Sequence, residues 1–396
     1  MLKCIVLSTQ NIYFELREPR SPWNASGLLL AVLLLVAVML PADQVWAQGT
    51  GSTGVSGYMD LQYRKPEFND GVLDFRRFVL LFTHRFSDRI RFVSELELEH
   101  AFVEGQVNAG ELELEQAYLD FLLSRGFNVR AGIVLIPVGI INERHEPPVY
   151  YGVERPLVDT VLVPTTWFEA GAGVHGELGR GWRYRAYVIS PLNAAFFSAE
   201  EGVREGRQKG SETNAGRVAA TGRVEYLGLR GLTAGASFWA GDSGFEFRPV
   251  FDVPVRLLSA DARYSRRGME FRAEFVDISI SNADQLNGAL TRRIGVDPNI
   301  GEGMRGGLLE ASHRFYSNPR LGEIGAFVRY DKANTQARMP AGAVPLPEFN
   351  RDAFVVGATY WPDPDIAVKM DYVIARNRSS VIAAPNSFNI GLGWWF

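Results

Sequence analysis

The sequence predicts an all-β fold, a transmembrane antiparallel β-barrel of about 16 strands with short turns at one end and long loops at the other. Three observations carry this. Apolar and polar residues alternate with period two from Gly57 almost to the last residue. The alternating segments run for about 8 to 12 residues, the length a tilted strand needs to cross a bilayer. The connections sort by parity, tight after even-numbered segments and mostly long after odd-numbered ones.

The segments begin near residues 57, 74, 89, 111, 127, 167, 181, 217, 231, 255, 269, 306, 323, 352, 366 and 387. In Ile90–Glu99, Phe92, Leu96 and Leu98 share a face, with Arg91, Glu95, Glu97 and Glu99 on the other. Met269–Phe275 sets Phe271 and Phe275 against Glu270, Arg272 and Glu274. A half-buried soluble strand alternates in the same way, so parity decides between the two. Ser87-Asp88, Gly179-Arg180 and Asn318-Pro319-Arg320 are tight, whereas the stretches near 138–166, 190–216 and 279–305 are long. A sandwich has no reason to gather its long loops at one end. An even strand number lets the first and last strands pair, and in lipid that closure is obligatory because no water satisfies a free N–H.

The formal net charge of −4 argues against a nucleic-acid partner, which needs a clustered basic excess. Cys4 is the single cysteine, so an internal disulfide is excluded. Gly27–Leu40 is an uncharged apolar run preceded by Arg17 and Arg20 and followed by Pro41 and Val45-Trp46-Ala47. Basic flank, short apolar core and small-residue exit predict a Sec-type signal peptide over 1–47, leaving a barrel domain over 48–396. The run is short for a spanning helix.

If the apolar face meets lipid, the polar face lines the lumen. That assigns Arg91, Glu95, Glu97, Glu99, Glu113, Glu115, Arg130, Arg183, Arg185, Arg217, Arg223, Arg272 and Arg329 to the lumen wall. The third and fourth strands are acidic and the seventh and eighth basic, an arrangement that sets a transverse field across a channel. Phe388–Phe396 reads FNIGLGWWF and ends on an aromatic of the apolar face. With Phe388, Trp394 and Phe396 as its signal, it resembles the terminal strand that the outer-membrane assembly machinery recognises in bacterial porins.

Arg130–Gly176 carries a Gly-bearing strand, a Pro137-Val138-Gly139 exit, a proline-rich charged connection and a return strand opened by Thr166-Trp167. This stretch resembles the phosphate-selective porin family of the O and P type. The resemblance implies a homotrimer of 16-stranded barrels in the bacterial outer membrane, with the third loop (136–166) folded inward as a constriction. Asn142, Glu143, Arg144, His145, Glu146 and Arg155 are then the constriction candidates. The phosphate-binding members place lysines at that point, whereas this loop has none and carries carboxylates. The expectation is therefore passive diffusion of small hydrophilic solutes or ions, with anion or phosphate selectivity as the alternative.

Glu143, His145 and Glu146 stand close enough in sequence to hold a metal, but they read as a charged pore-loop cluster, and neither metal nor cofactor is expected. A lipid hydrolase using His313 finds no serine partner and no G-x-S-x-G motif, so no enzyme is expected. An adhesive barrel with a blocked lumen is the remaining rival.

Overall fold

The computed structural model describes residues 51–101, 110–214 and 216–396. The expected signal peptide and its cleavage site lie outside the described residues. Sixteen strands follow in order: β1 (Ser52–Pro66), β2 (Val72–Ser87), β3 (Ile90–Glu99), β4 (Leu112–Phe121), β5 (Asn128–Leu135), β6 (Phe168–Gly179), β7 (Trp182–Ile189) and β8 (Ala219–Tyr226). Then come β9 (Leu232–Asp242), β10 (Pro254–Arg266), β11 (Met269–Ile280), β12 (Gly303–Asn318), β13 (Gly322–Arg338), β14 (Asn350–Asp363), β15 (Ile366–Arg376) and β16 (Ser387–Trp395). Each pairs with its sequence neighbours, and β1 pairs with β16, so the sheet closes into a barrel.

Local chemistry sets the turns. Arg180-Gly181 joins β6 to β7 with φ of 50° and 87°, and Arg267-Gly268 joins β10 to β11 with 53° and 81°. Two successive positive φ values define the turn whose twist matches that of paired strands, and glycine adopts its second position at no steric cost. Closure completes the sheet. Tyr58 to Pro66 register against Trp395 to Ser387, and Gly57 and Phe396 exchange backbone hydrogen bonds at 3.0 and 2.9 Å. The Phe396 ring stacks on Phe78 at 6.4 Å. Leu96, Leu258, Phe271, Phe275, Leu309, Val356, Met370 and Ile390 are exposed on the outer face, the apolar belt that alternation demands of a lipid-facing wall.

The inner face departs from the expectation of a uniformly polar lumen. Along β11 the inward positions read Glu270, Arg272, Glu274, Val276, Ile278, Ile280, charged toward the turn end and apolar toward the loop end. β7 runs Arg183, Arg185, Tyr187, Ile189 in the same sense. These apolar ends are buried because loops fold down onto them. Ile136, Val138, Val158, Val161, Leu162, Val163 and Trp167 of the β5–β6 connection pack there with Trp239, Leu257, Ile278 and Leu308 of the wall. Two other connections join the same core. Leu192, Phe197 and Val203 come from the β7–β8 loop, and Leu286 and Leu290 from a helix (Ala283–Ile294) between β11 and β12. At about 1.5–3 kcal/mol per buried side chain, the seven residues of the β5–β6 loop contribute on the order of 10–20 kcal/mol. The flanks of that loop are a fixed part of the barrel core.

Candidate functional site

Between its apolar flanks, the β5–β6 loop sends a polar tip, Gly139 to Arg155, across the lumen. Gly139 makes the entry possible. It sits at φ 77°, a left-handed conformation that favours glycine, and a Cβ there would lie 2.7 Å from Glu274 Oε1 and displace that carboxylate. The tip then binds the wall nearly all the way round. Ile140 N donates to Glu274 Oε2 of β11 at 3.2 Å, and Arg272 of the same strand donates to Val149 O at 2.9 Å. Arg185 of β7 donates to Glu143 Oε1 at 2.8 Å. Across the barrel, Thr359 of β14 donates to Tyr151 O at 3.0 Å, and Val153 N donates to Asp371 Oδ2 of β15 at 2.7 Å. Lys369 of β15 extends its ammonium into a cage of carbonyls, Pro147 O at 2.5 Å, Tyr150 O at 2.6 Å and Gly152 O at 2.8 Å.

His145 makes the contact on the acidic side. Its Nε2 lies 3.2 Å from Glu115 Oε2 of β4 and 3.5 Å from Glu95 Oε1 of β3. A β-bulge lies beside both carboxylates. β3 and β4 lose one step of register between Glu95 and Leu96, because Glu95 opposes Gln116 while Leu96 opposes Leu114. Glu115 is the extra residue, turned inward like Glu113 as alternation expects, and the bulge shifts the phase so that Tyr118 and Asp120 face inward beyond it. Burial disfavours charge on His145, but the Glu115 and Glu95 carboxylates outweigh it and hold its pKa well above the usual imidazole value.

The other candidates fall into place around the tip. Asn142 corrects the expectation that it faces the lumen. It is fully buried, donating to Ile136 O and Trp167 O at 2.8 Å each and accepting from Trp167 N at 2.7 Å, so its amide staples the two ends of the loop together. Arg144 is exposed, Glu146 half-buried, and Arg155 donates to Thr166 Oγ1 and His145 O at 3.3 Å each. Arg217 is also corrected. It precedes β8 and stands 3.9 Å from Asp242 at the loop end, outside the wall. Arg91 and Arg130 share Asp120 at 2.7 Å each near the turn end, and Arg183 pairs with Glu177 at 3.3 Å. Arg223 grips Asp261 at 2.6 Å, Arg329 grips Asp331 at 2.8 Å, and Glu97 stands 3.9 Å from Arg77. The opposed acidic and basic walls are thus largely neutralised by partners.

Open space remains on either side of the tip. Toward the loop end lies a polar cavity of about 320 Å³ bordered by Glu99, Glu113, Glu115, Arg155, Arg204 and Arg207 among others. Toward the turn end is a smaller space of about 50 Å³ beside Glu143, Arg144, Arg185, Arg223, Asp261 and Arg272. Arg204 and Arg207, which sequence reasoning did not select, hold the loop flank by donating to Thr160 O, Thr165 O, Pro164 O and Thr166 O. Burial, followed by the neighbouring Arg207 charge, lowers the Arg204 pKa to about 10. On α1 (Leu157–Val161), the Asp159 carboxyl is pushed up to about 8 by burial and then by Asp331, against the pull of Arg329 and Arg155. Their distance in sequence from the wall residues they meet offered no local signal for these roles.

Barrel, inserted loop and charged lumen together define the fold of outer-membrane porins. The chain aligns with OmpF of Salmonella typhi, solved with daunomycin, at TM-score 0.60 and 13% identity over 87% of this chain and 97% of that one. The anion-selective porin of Comamonas acidovorans gives 0.54 at 12% identity over 87% and 100%. The trimer form of Vibrio cholerae OmpT gives 0.53 at 10% over 87% and 99%. At these identities the likeness is one of fold. No family model matches the chain. In sequence it is 32% identical over 348 residues to an uncharacterised protein of Aquifex aeolicus (strain VF5), covering 84% of this chain and 78% of that protein. The chain belongs to one family with that Aquifex protein.

Proposed function

We propose that the protein is an outer-membrane porin passing small hydrophilic solutes or ions by passive diffusion, with the 136–166 loop as its constriction. The supporting observation is the polar tip held across the lumen by wall side chains, with charged space on both sides of it. A tip so tightly bound makes the channel narrow. The same reading carries export by the 1–47 signal, recognition of the Phe388–Phe396 strand by the assembly machinery, and a homotrimer in lipid. Single-channel conductance of the refolded barrel in a planar bilayer tests it. Stepwise openings support a pore, and their absence from a heat-modifiable, folded barrel overturns it.

A second reading, anion selectivity of the kind known in the O and P type porins, is favoured by one feature. Arg155, Arg204 and Arg207 border the loop-end cavity and are held mainly by neutral oxygens. The carboxylates Glu99, Glu113 and Glu154 border the same space, which weighs toward weak selectivity. The reversal potential in a salt gradient separates the two.

A further inference from the structure

The charged cluster expected from sequence around Glu143, His145 and Glu146 does not form as a unit. His145 instead meets two carboxylates of the wall. We propose that Glu95, Glu115 and His145 form a buried binding site for a divalent transition-metal ion, one that clasps the loop tip to the barrel.

Four observations converge. First, the donor atoms of the three residues lie within 4.8 Å of one another, and all three side chains are buried. The Nε2–oxygen separations of 3.2 and 3.5 Å match the edge of a coordination tetrahedron, about 3.4 Å for metal–ligand bonds near 2.1 Å. Second, the imidazole is oriented as a ligand. Nδ1 sits 3.0 Å from Asn142 O, a carbonyl that only accepts, so the Nδ1 proton points outward and Nε2 faces the carboxylates. Third, Glu95 is itself held, by Tyr58 Oη at 3.0 Å and by the Gln116 amide. Fourth, an independent buried carboxylate borders the cluster. Glu97 is 2% exposed and lies beside Glu115, and its Oε2 has no hydrogen-bond partner among the described residues.

Charge argues the same way. Three carboxylates, Glu95, Glu97 and Glu115, share this pocket with one imidazole. Two guanidiniums stand near it: Arg77, 3.9 Å from Glu97 and 3.1 Å from Asp60, and Arg155, which donates to His145 O at 3.3 Å. Buried carboxylates in this number are stabilised further by a cation among them. One imidazole with carboxylate oxygens suits zinc, cobalt, manganese or iron(II), whereas calcium and magnesium favour all-oxygen cages. Glu115 borders the loop-end cavity, which supplies an entry path. The ion replaces the proton on Nε2, so binding releases a proton.

The test uses the folded barrel in detergent, freed of metal by chelator, with Co²⁺ and then Zn²⁺ as probes. Expected are one Co²⁺ per chain, visible absorption bands of a low-symmetry site, and their loss as Zn²⁺ displaces the cobalt. Glu115→Gln and His145→Gln weaken uptake by about 100-fold or more, while His84→Gln, which removes a half-buried histidine on β2 away from the cluster, leaves it unchanged. Heat-modifiable mobility establishes that each variant is folded. If either variant misfolds, wild-type stoichiometry still decides. A folded wild-type barrel without stoichiometric Co²⁺ overturns the proposal, as does a folded Glu115→Gln variant that binds as tightly as His84→Gln. The site stands independently of conduction, since metal uptake is read without any channel activity.

Discussion

Replacing Lys369 with methionine is the sharpest perturbation of the constriction. Methionine keeps most of the side-chain volume and removes the ammonium. Three carbonyls, those of Pro147, Tyr150 and Gly152, then lose their common donor. The ammonium also stands 3.9 Å from the centroid of the Tyr150 ring, a contact that is lost with it. An orphaned buried acceptor costs ~1–3 kcal/mol, so three cost about 3–9. Removing a buried charge returns several kcal/mol of desolvation. The balance favours a released tip by about 3 kcal/mol, roughly 100-fold in the ratio of open to closed loop. The apolar flanks keep their burial, so the barrel itself survives. Bilayer recordings should show larger and noisier single-channel openings, and limited trypsin digestion should cut after Arg144 where the wild type resists. Wild-type conductance together with wild-type resistance to trypsin would refute the claim that these bonds hold the tip.

Gly139→Ala strains a left-handed residue and drives a methyl against Glu274, so the tip should detach from β11, seen as faster amide exchange at Ile140. Asn142→Ala removes three buried hydrogen bonds and should lower thermal stability by about 2–4 kcal/mol, read as a lowered unfolding midpoint in denaturant. Asp159 has a pKa raised to about 8, facing Asp331 and Arg329 of β13, Asp261 of β10, Glu274 of β11 and Arg155 of its own loop. A carboxyl raised on folding stabilises the folded state fully at low pH, and that stability is lost as pH climbs through 8. Exchange protection of α1 should therefore fall between about pH 4 and 8 and level above 9, and Asp159→Asn should remove most of the dependence. Deleting Phe396 removes two closing hydrogen bonds and the stack on Phe78, and should leave unfolded precursor in place of heat-modifiable barrel on electrophoresis.

Alternation and turn chemistry by themselves determined the wall. Sixteen segments, their starts within a few residues, the parity of their connections and the lipid-facing side of each were legible because inward and outward positions follow from a period of two within a single strand. The grading of β7 and β11 from charged to apolar was also written in order, as Arg185 to Ile189 and Glu274 to Ile280, and it marks where loops descend. What the tip touches was decided by tertiary structure alone. Lys369 reaches Pro147 across 222 residues of chain, and Asn142 turns from a lumen candidate into a staple because Trp167 lies opposite it. His145 finds Glu95 and Glu115, which alternation had already turned inward, because the folded loop carries it down to that wall. A bulge is settled by the register of the whole closed sheet, and a loop inside a barrel takes its partners from every strand around it. Those are properties of closure, which no window of sequence contains.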